Sequence, residues 1–202
     1  MIGIKGTKDF YNKTASDWAE KGYRPEGEVV CLKEFLADLN KECKVLDLCC
    51  GCGYESQRIK KYGYEVVGID FSGESLKIAR EKNPEIMFYE DNMLNDYSYI
   101  GTVDAIIVIA GIVHVEQKDL RLAFERMHNV LKDKGAVLLS IREGSGKMPE
   151  RSLCVLDEEE YDRNFIGHTL DELVVESHGL FQFEKELESD MQVWKNYVFK
   201  RV

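Results

Sequence analysis

Val45-Leu46-Asp47-Leu48-Cys49-Cys50-Gly51-Cys52-Gly53-Tyr54-Glu55-Ser56 is the stretch that decides the fold of this chain. An apolar run from Lys44 to Leu48, carrying one acid, breaks into a turn with two glycines. Helical spacing follows at Ser56, Ile59, Lys60 and Gly63. The order is strand, tight turn and helix N-terminus, which brings backbone N–H groups and the positive end of a helix dipole to one cleft. Glycine suits that turn because a side chain would block a ligand's approach to the backbone. A second apolar strand, 65–70, ends on Asp70. An acid there is placed to accept hydrogen bonds from both hydroxyls of a ribose, so the pattern reads as a nucleoside site.

The units on either side repeat the alternation. Residues 8–40 read as two helices. Tyr11, Ala15, Trp18 and Ala19 share one face of the first, and the second runs from about Pro25 to Asn40. Strands are expected at 44–48, 65–70, 86–89, 103–109 and 136–142, and helices at 55–62, 73–82 and 117–131. A long irregular segment follows, then a helix at 169–178 and strands at 181–188 and 193–201 joined by a Ser189-Asp190 turn. Strands as apolar as Ala105-Ile106-Ile107-Val108-Ile109 imply a parallel sheet covered on both faces. The expected fold is α/β: a doubly wound, mostly parallel seven-stranded sheet with helices on both faces and an antiparallel C-terminal hairpin.

Composition narrows the function classes. At 202 residues, with 44% hydrophobic and 32% charged side chains, the chain reads as one globular domain. Residues 1–40 are expected as a helical lid and 41–202 as the core. The formal charge of −10 argues against nucleic-acid partners, whose affinity rests on cationic neutralisation, and favours a small-molecule substrate. The apolar run 103–115 is too short to span a membrane and no leader pattern opens the chain, so the expected location is cytoplasmic. Cys31, Cys43, Cys49, Cys50, Cys52 and Cys154 lack paired C-x-x-C knuckles, and the four histidines form no ligating pair. They read as small buried fillers in a reducing compartment rather than as a metal site.

These residues together resemble the class I S-adenosylmethionine-dependent methyltransferases, and among them the small single-domain group with an aromatic N-terminal helix. The first motif is matched by Asp47, Cys49, Gly51 and Gly53, with Cys49 standing where the family has its first glycine. Asp70 matches the ribose acid, and Asp91 in Tyr89-Glu90-Asp91-Asn92-Met93 matches the acid after the third strand. Val103-Asp104-Ala105 through His114 is similar to the fourth-strand pattern. Val130-Leu131-Lys132-Asp133-Lys134-Gly135-Ala136 resembles the following turn, with Asp133 and Lys134 where proline and glycine are usual. The resemblance implies S-adenosylmethionine as cofactor. Asp47 would hold the glycine loop and, through water, the methionine amino group. Asp91 would meet the adenine amino group, with Asn92 and Met93 along the ring, and Phe71 and Ile109 would complete the set. Tyr11 and Trp18 would lid the cofactor, an aromatic face suiting a sulfonium cation.

Methyl transfer from sulfonium is an in-line displacement, so a base is needed only if the acceptor must lose a proton. His114, after the fourth strand at the sheet's C-terminal edge, and Glu143, after the fifth, are the catalytic candidates. Arg163, His168, Trp194 and Asn196 are weaker candidates for the same crevice. Each has an ordinary structural reading as well: His114 as a packed residue, Glu143 as part of a solvated loop, Tyr11 and Trp18 as helix core. Two other functions remain open at this point. A nicotinamide oxidoreductase requires a third glycine where Ser56 stands, and a non-catalytic nucleoside-binding module would keep Asp70 and Asp91.

Overall fold

The computed structural model describes residues 5–23, 30–189 and 193–202. Two helices, α1 (Thr7–Gly22) and α2 (Val30–Ala37), precede β1 (Lys44–Leu48), α3 (Tyr54–Lys61), β2 (Glu65–Asp70), α4 (Gly73–Lys82) and β3 (Met87–Glu90). Then come β4 (Val103–Ile109), α5 (Leu120–Val130) and β5 (Leu131–Arg142). A smaller group comprises β6 (Gly146–Lys147), α6 (Pro149–Ser152), β7 (Leu153–Leu156), β8 (Glu159–Asp162) and β9 (Ile166–Gly167). The chain closes with α7 (Leu170–Ser177), β10 (Phe181–Leu187) and β11 (Trp194–Arg201). The start expected for the second helix near Pro25, and Asp190 of the expected turn, lie outside the described residues.

One seven-stranded sheet runs in the order β3-β2-β1-β4-β5-β11-β10. β1 to β5 are parallel, and β11 is antiparallel to both of its neighbours. The expected sheet is therefore present, with the last strand inserted inside its edge. Strand alternation sorts the side chains into two cores. Leu46, Leu48, Val67, Ile69, Ile106, Val108, Val137 and Leu139 pack on one face with Phe124 and Met127 of α5 and Leu173 of α7. Val45, Val66, Ile107 and Leu138 pack on the other with Leu32, Phe35 and Leu36 of α2, Ile59 of α3 and Leu76 of α4. Sheet order reverses between β1 and β4, so a crevice opens at their C-terminal ends. Among the described residues, no helix is long and apolar enough to cross a membrane.

The segment read from sequence as irregular is folded. β6 pairs with β9, and β7 pairs with β8 in a hairpin whose turn residues, Asp157 and Glu158, have φ of 50° and 65°. Such a two-residue turn is normally announced by glycine or asparagine, and neither is present here. The strands are also too short to show a period. This insertion and α1 stand over the crevice: the backbone of Lys5 bonds to Glu160 and Asp162, and the hydroxyl of Ser72 donates to Asn12 Oδ1 (2.8 Å).

Lys134, where the resemblance has glycine, takes φ of 62° in the exposed N-terminal part of β5. A left-handed L-residue costs about 1–2 kcal/mol there, of which glycine's larger unfolded-state entropy returns part. We expect Lys134→Gly to stabilise the fold by about 0.5–1 kcal/mol. Urea denaturation with an unchanged slope checks it.

Candidate active site

The first-motif loop is built on a carboxylate. Asp70, at the end of β2, is buried, and its two oxygens accept from Gly51 N (2.8 Å) and Ser72 N (2.8 Å). One side chain thereby fixes the turn after β1 and the start of α4. Ser72 in turn caps α4 by accepting from Ser75 N (3.2 Å). The two glycines of the loop have different reasons to be there. A Cβ on Gly51 (φ 52°) would meet nothing within 4 Å, whereas one on Gly53 (φ 79°) would lie 2.9 Å from Ala79 and 3.0 Å from the Phe88 ring. Gly51 borders open space and Gly53 is a packing residue. Cys49, where the family has glycine, itself adopts φ of 65°, so the backbone demand persists although the residue has changed.

A cavity of about 390 Å³ opens beside this loop. Of the expected cofactor residues, Tyr11, Trp18, Asp47, Cys49, Gly51, Asp70, Phe71, Asp91, Asn92, Met93 and Ile109 line it. Gly53 lies behind the wall. His114 and the weaker candidates Arg163 and Trp194 also line it. Glu143 does not: its side chain is exposed, and its backbone bridges to His168 and bonds to Val193 O (3.2 Å), which carries the carboxylate away from the crevice. His168 is buried with Nε2 3.2 Å from Ile112 O, and Asn196 Nδ2 donates to Glu188 O (2.9 Å), so both bond to backbone rather than line the cavity.

Carboxylates gather in the half of the cavity over β1, β2 and β3. Asp47 Oδ2 accepts from Ser56 Oγ (2.5 Å), tying β1 to the first turn of α3. Burial pushes the Asp47 carboxyl up to about 7. Glu55 is a wall residue that the sequence reading missed. It sat in the decisive stretch, but an acid in a helix's first turn has an ordinary explanation in the helix dipole. Burial pushes it up to about 8, against the pull of Arg58 at 3.0 Å, and its Oε2 is buried with no partner among the described residues. Asp91 is more open: Oδ1 accepts from Asn92 N and Asn95 Nδ2, and Oδ2 from Tyr99 (3.0 Å).

The half over β4, β5 and β11 is aromatic and basic. Tyr11 Oη lies 2.8 Å from His114 Nε2, and His114 Nδ1 lies 2.9 Å from Arg163 O. A carbonyl only accepts, so Nδ1 carries the proton and the tyrosine hydroxyl donates to Nε2. Burial, with the Arg163 charge adding to it, lowers His114 to about 4. An unperturbed imidazole titrates near neutrality, whereas this ring is neutral throughout the physiological range. Phe71, Trp18 and Phe165 complete the ring cluster around Tyr11 and His114.

The family described as "Methyltransferase domain" matches residues 45–135, from β1 into β5. That match supports the resemblance to the class I, S-adenosylmethionine-dependent methyltransferases read from the sequence. Among relatives, a putative methyltransferase of Bacillus subtilis, YqeM, is 31% identical over 52% of this chain and 44% of its own length. A malonyl-[acyl-carrier protein] O-methyltransferase of Hamiltonella defensa is 29% identical over 78% of this chain and 57% of its own. The chain spans about half the length of these curated relatives. A methyltransferase from Bacteroides fragilis, solved with S-adenosyl-L-homocysteine, superposes with a TM-score of 0.74 at 14% identity, covering 100% of this chain and 98% of that one. The nicotinamide reading is set aside. Ser56, at the third-glycine position, spends its hydroxyl on Asp47, and β11 runs antiparallel inside the sheet.

Among the described residues, no three His, Cys, Asp or Glu side chains are grouped to hold a metal, and the six cysteines are free thiols. The cysteines of the loop serve as packing: Cys52 and Cys50 are buried, and Cys49 Sγ contacts Met93 Sδ at 3.6 Å.

The raised carboxyls give a pH prediction. With folded values of about 7 and 8 against an unfolded value near 4, Asp47 and Glu55 hold protons in the folded state that the unfolded chain has released. Raising pH then favours unfolding, while His114, His128 and His168, lowered in the folded state, offset part of the effect as their unfolded forms lose protons near pH 6.5. Stability of the ligand-free protein should fall by roughly 1 kcal/mol between pH 6.5 and 8. Chemical denaturation across that range measures it, and Glu55→Gln should flatten the slope.

Proposed function

We propose that the chain transfers a methyl group from S-adenosylmethionine to a small-molecule acceptor. The observation that carries this reading is the Asp70 carboxylate. It holds the Gly51 loop against a cavity that is acidic over β1–β3 and continues to a shielded histidine. The unpartnered Glu55 oxygen and the neighbouring Asp47 fit a cationic amino acid end, and Asp70 fits a ribose. Asp91, Asn92 and Met93 line the place assigned to adenine. S-adenosylmethionine, when bound, supplies an electrophilic methyl group on a cationic sulfur.

The remaining tasks fall to the chain's own residues. Tyr11, Trp18 and Phe71 present ring faces and exclude water from the reacting atoms, which strengthens every charge interaction inside. His114 is held in one tautomer by Arg163 O, so its Nε2 lone pair faces the cavity side where Tyr11 stands. We assign it the acceptor's proton, received once the Tyr11 hydroxyl gives way. A small acceptor is favoured because α1 and the 143–168 insertion leave a cavity in the size range of small-ligand sites.

Two experiments test the assignments. If Asp70 bonds the ribose, S-adenosylhomocysteine should bind about 1.5–3 kcal/mol more tightly than its analogue lacking the ribose hydroxyls. That difference should vanish in Asp70→Ala. Calorimetry reads both, and the comparison cancels any loosening of the loop that the substitution itself causes. For His114, His114→Gln should keep homocysteine-product affinity and lower turnover by about 10²–10⁴-fold. The parent's acid limb should sit near the value of about 4 held by the buried ring. Full turnover in the variant would move the chemistry to alignment alone.

A further inference from the structure

The basic half of the cavity has a use that the methyl-donor reading does not supply. Arg151 and Arg163 both line the wall there. They come from the insertion between β5 and α7, and one aromatic ring organises them. The Arg163 guanidinium lies 5.3 Å from the centre of the Phe165 ring and 4.9 Å from that of Phe10, and the Arg151 guanidinium lies 5.0 Å from Phe165. Arg163 Nε donates to Arg151 O (2.7 Å), which fixes the fork, and the guanidinium also contacts the Tyr11 hydroxyl at the cavity wall. Arg151 Nε is buried with no partner among the described residues.

Two guanidinium groups beside one ring repel each other, and partial burial removes the water that would screen them. The usual remedy is a carboxylate, and the insertion is rich in acids. Yet three of those acids pair with lysines: Glu159 with Lys5, Asp157 with Lys13 and Asp162 with Lys147. Among the described ion pairs neither Arg151 nor Arg163 has a carboxylate partner, in a chain where acids outnumber bases by 37 to 27. The carboxylates that line the cavity, Asp47, Glu55, Asp70 and Asp91, belong to its other half, so none of them makes an ion pair with Arg151 or Arg163 among the described residues. The Arg163 charge is also felt at the reacting end, where it opposes protonation of His114.

We propose that Arg151 and Arg163 bind an oxyanion group, carboxylate or phosphate, carried by the methyl acceptor. The planar forks match such groups through paired hydrogen bonds, and the flanking rings hold the forks in place before binding. Opposite polarity in the two halves then orients the partners, with the cationic donor over the acids and the anionic acceptor over the arginines. The acceptor role rests on the methyl-donor reading; the anion site itself rests on the arginines alone.

The test titrates the protein, saturated with S-adenosylhomocysteine, with benzoate and phenyl phosphate and with their neutral counterparts benzamide and phenol. At least one oxyanion should bind about 10-fold or more tightly than its counterpart, as charge-assisted hydrogen bonds require. The stronger of the two arms identifies the group. Arg151→Met and Arg163→Met should each abolish that preference while leaving S-adenosylhomocysteine affinity within about twofold. Arg163 packs on Phe10, so Arg151→Met and the parent protein's own anion-to-neutral ratio carry the test if the second variant folds poorly. Equal binding of charged and neutral probes overturns the proposal, and so does a preference that survives both substitutions. An arginine-dependent preference in a protein that fails to bind S-adenosylhomocysteine supports the anion site and overturns the donor reading instead.

Discussion

Two backbone N–H groups share the carboxylate of Asp70, and the geometry of the donor half follows from that sharing. Gly51 belongs to the turn after β1 and Ser72 to the cap of α4, so one buried side chain sets two strand ends and two helix starts relative to each other. Burial raises the Asp70 carboxyl, while the N–H groups of Ser72 and Gly51 pull it back towards ionisation. A carboxylate already paid in hydrogen bonds tolerates the low-dielectric wall of the cavity. Asp47 and Glu55 are less well supplied, and their proton affinity rises accordingly.

The half over β1–β3 was legible in the sequence because its residues are local. Strand, glycine turn and helix follow one another within 44–61, and Asp70 ends the next strand. Even the departures from the family pattern were readable in kind: Cys49 and Lys134 keep the left-handed backbone that glycine would take without strain. The structure does not bring Glu143 to the cavity wall. Its position after a parallel strand pointed to the crevice, but its backbone bridges to His168 and its side chain is exposed. The protonation state of His114 was likewise hidden, since it is buried against two segments distant in sequence, Tyr11 in α1 and Arg163 and Phe165 in the insertion. The arginine pair was the least visible feature. It lies in short strands without a period, around a turn without glycine.

The two halves also differ in what stabilises them. Over β1–β3 the wall is main chain and carboxylate, held by hydrogen bonds with fixed geometry. Over β4 and β5 it is aromatic rings and guanidinium groups stacked edge and face, an arrangement that tolerates small displacements. The proposed methyl transfer, which needs one donor pose and room for an acceptor, would be served by that contrast.

The hydrogen-bonded chain from Tyr11 through His114 to Arg163 joins residues 103 and 49 positions apart. Local segments assemble early in folding, whereas contacts of this span must await most of the chain. The Gly51 turn, whose bond to Asp70 spans 19 positions, is the more local of the two constructions. The insertion contributes no bond to that carboxylate, so the β1–β2 loop and the wall across the cavity are held by separate contacts.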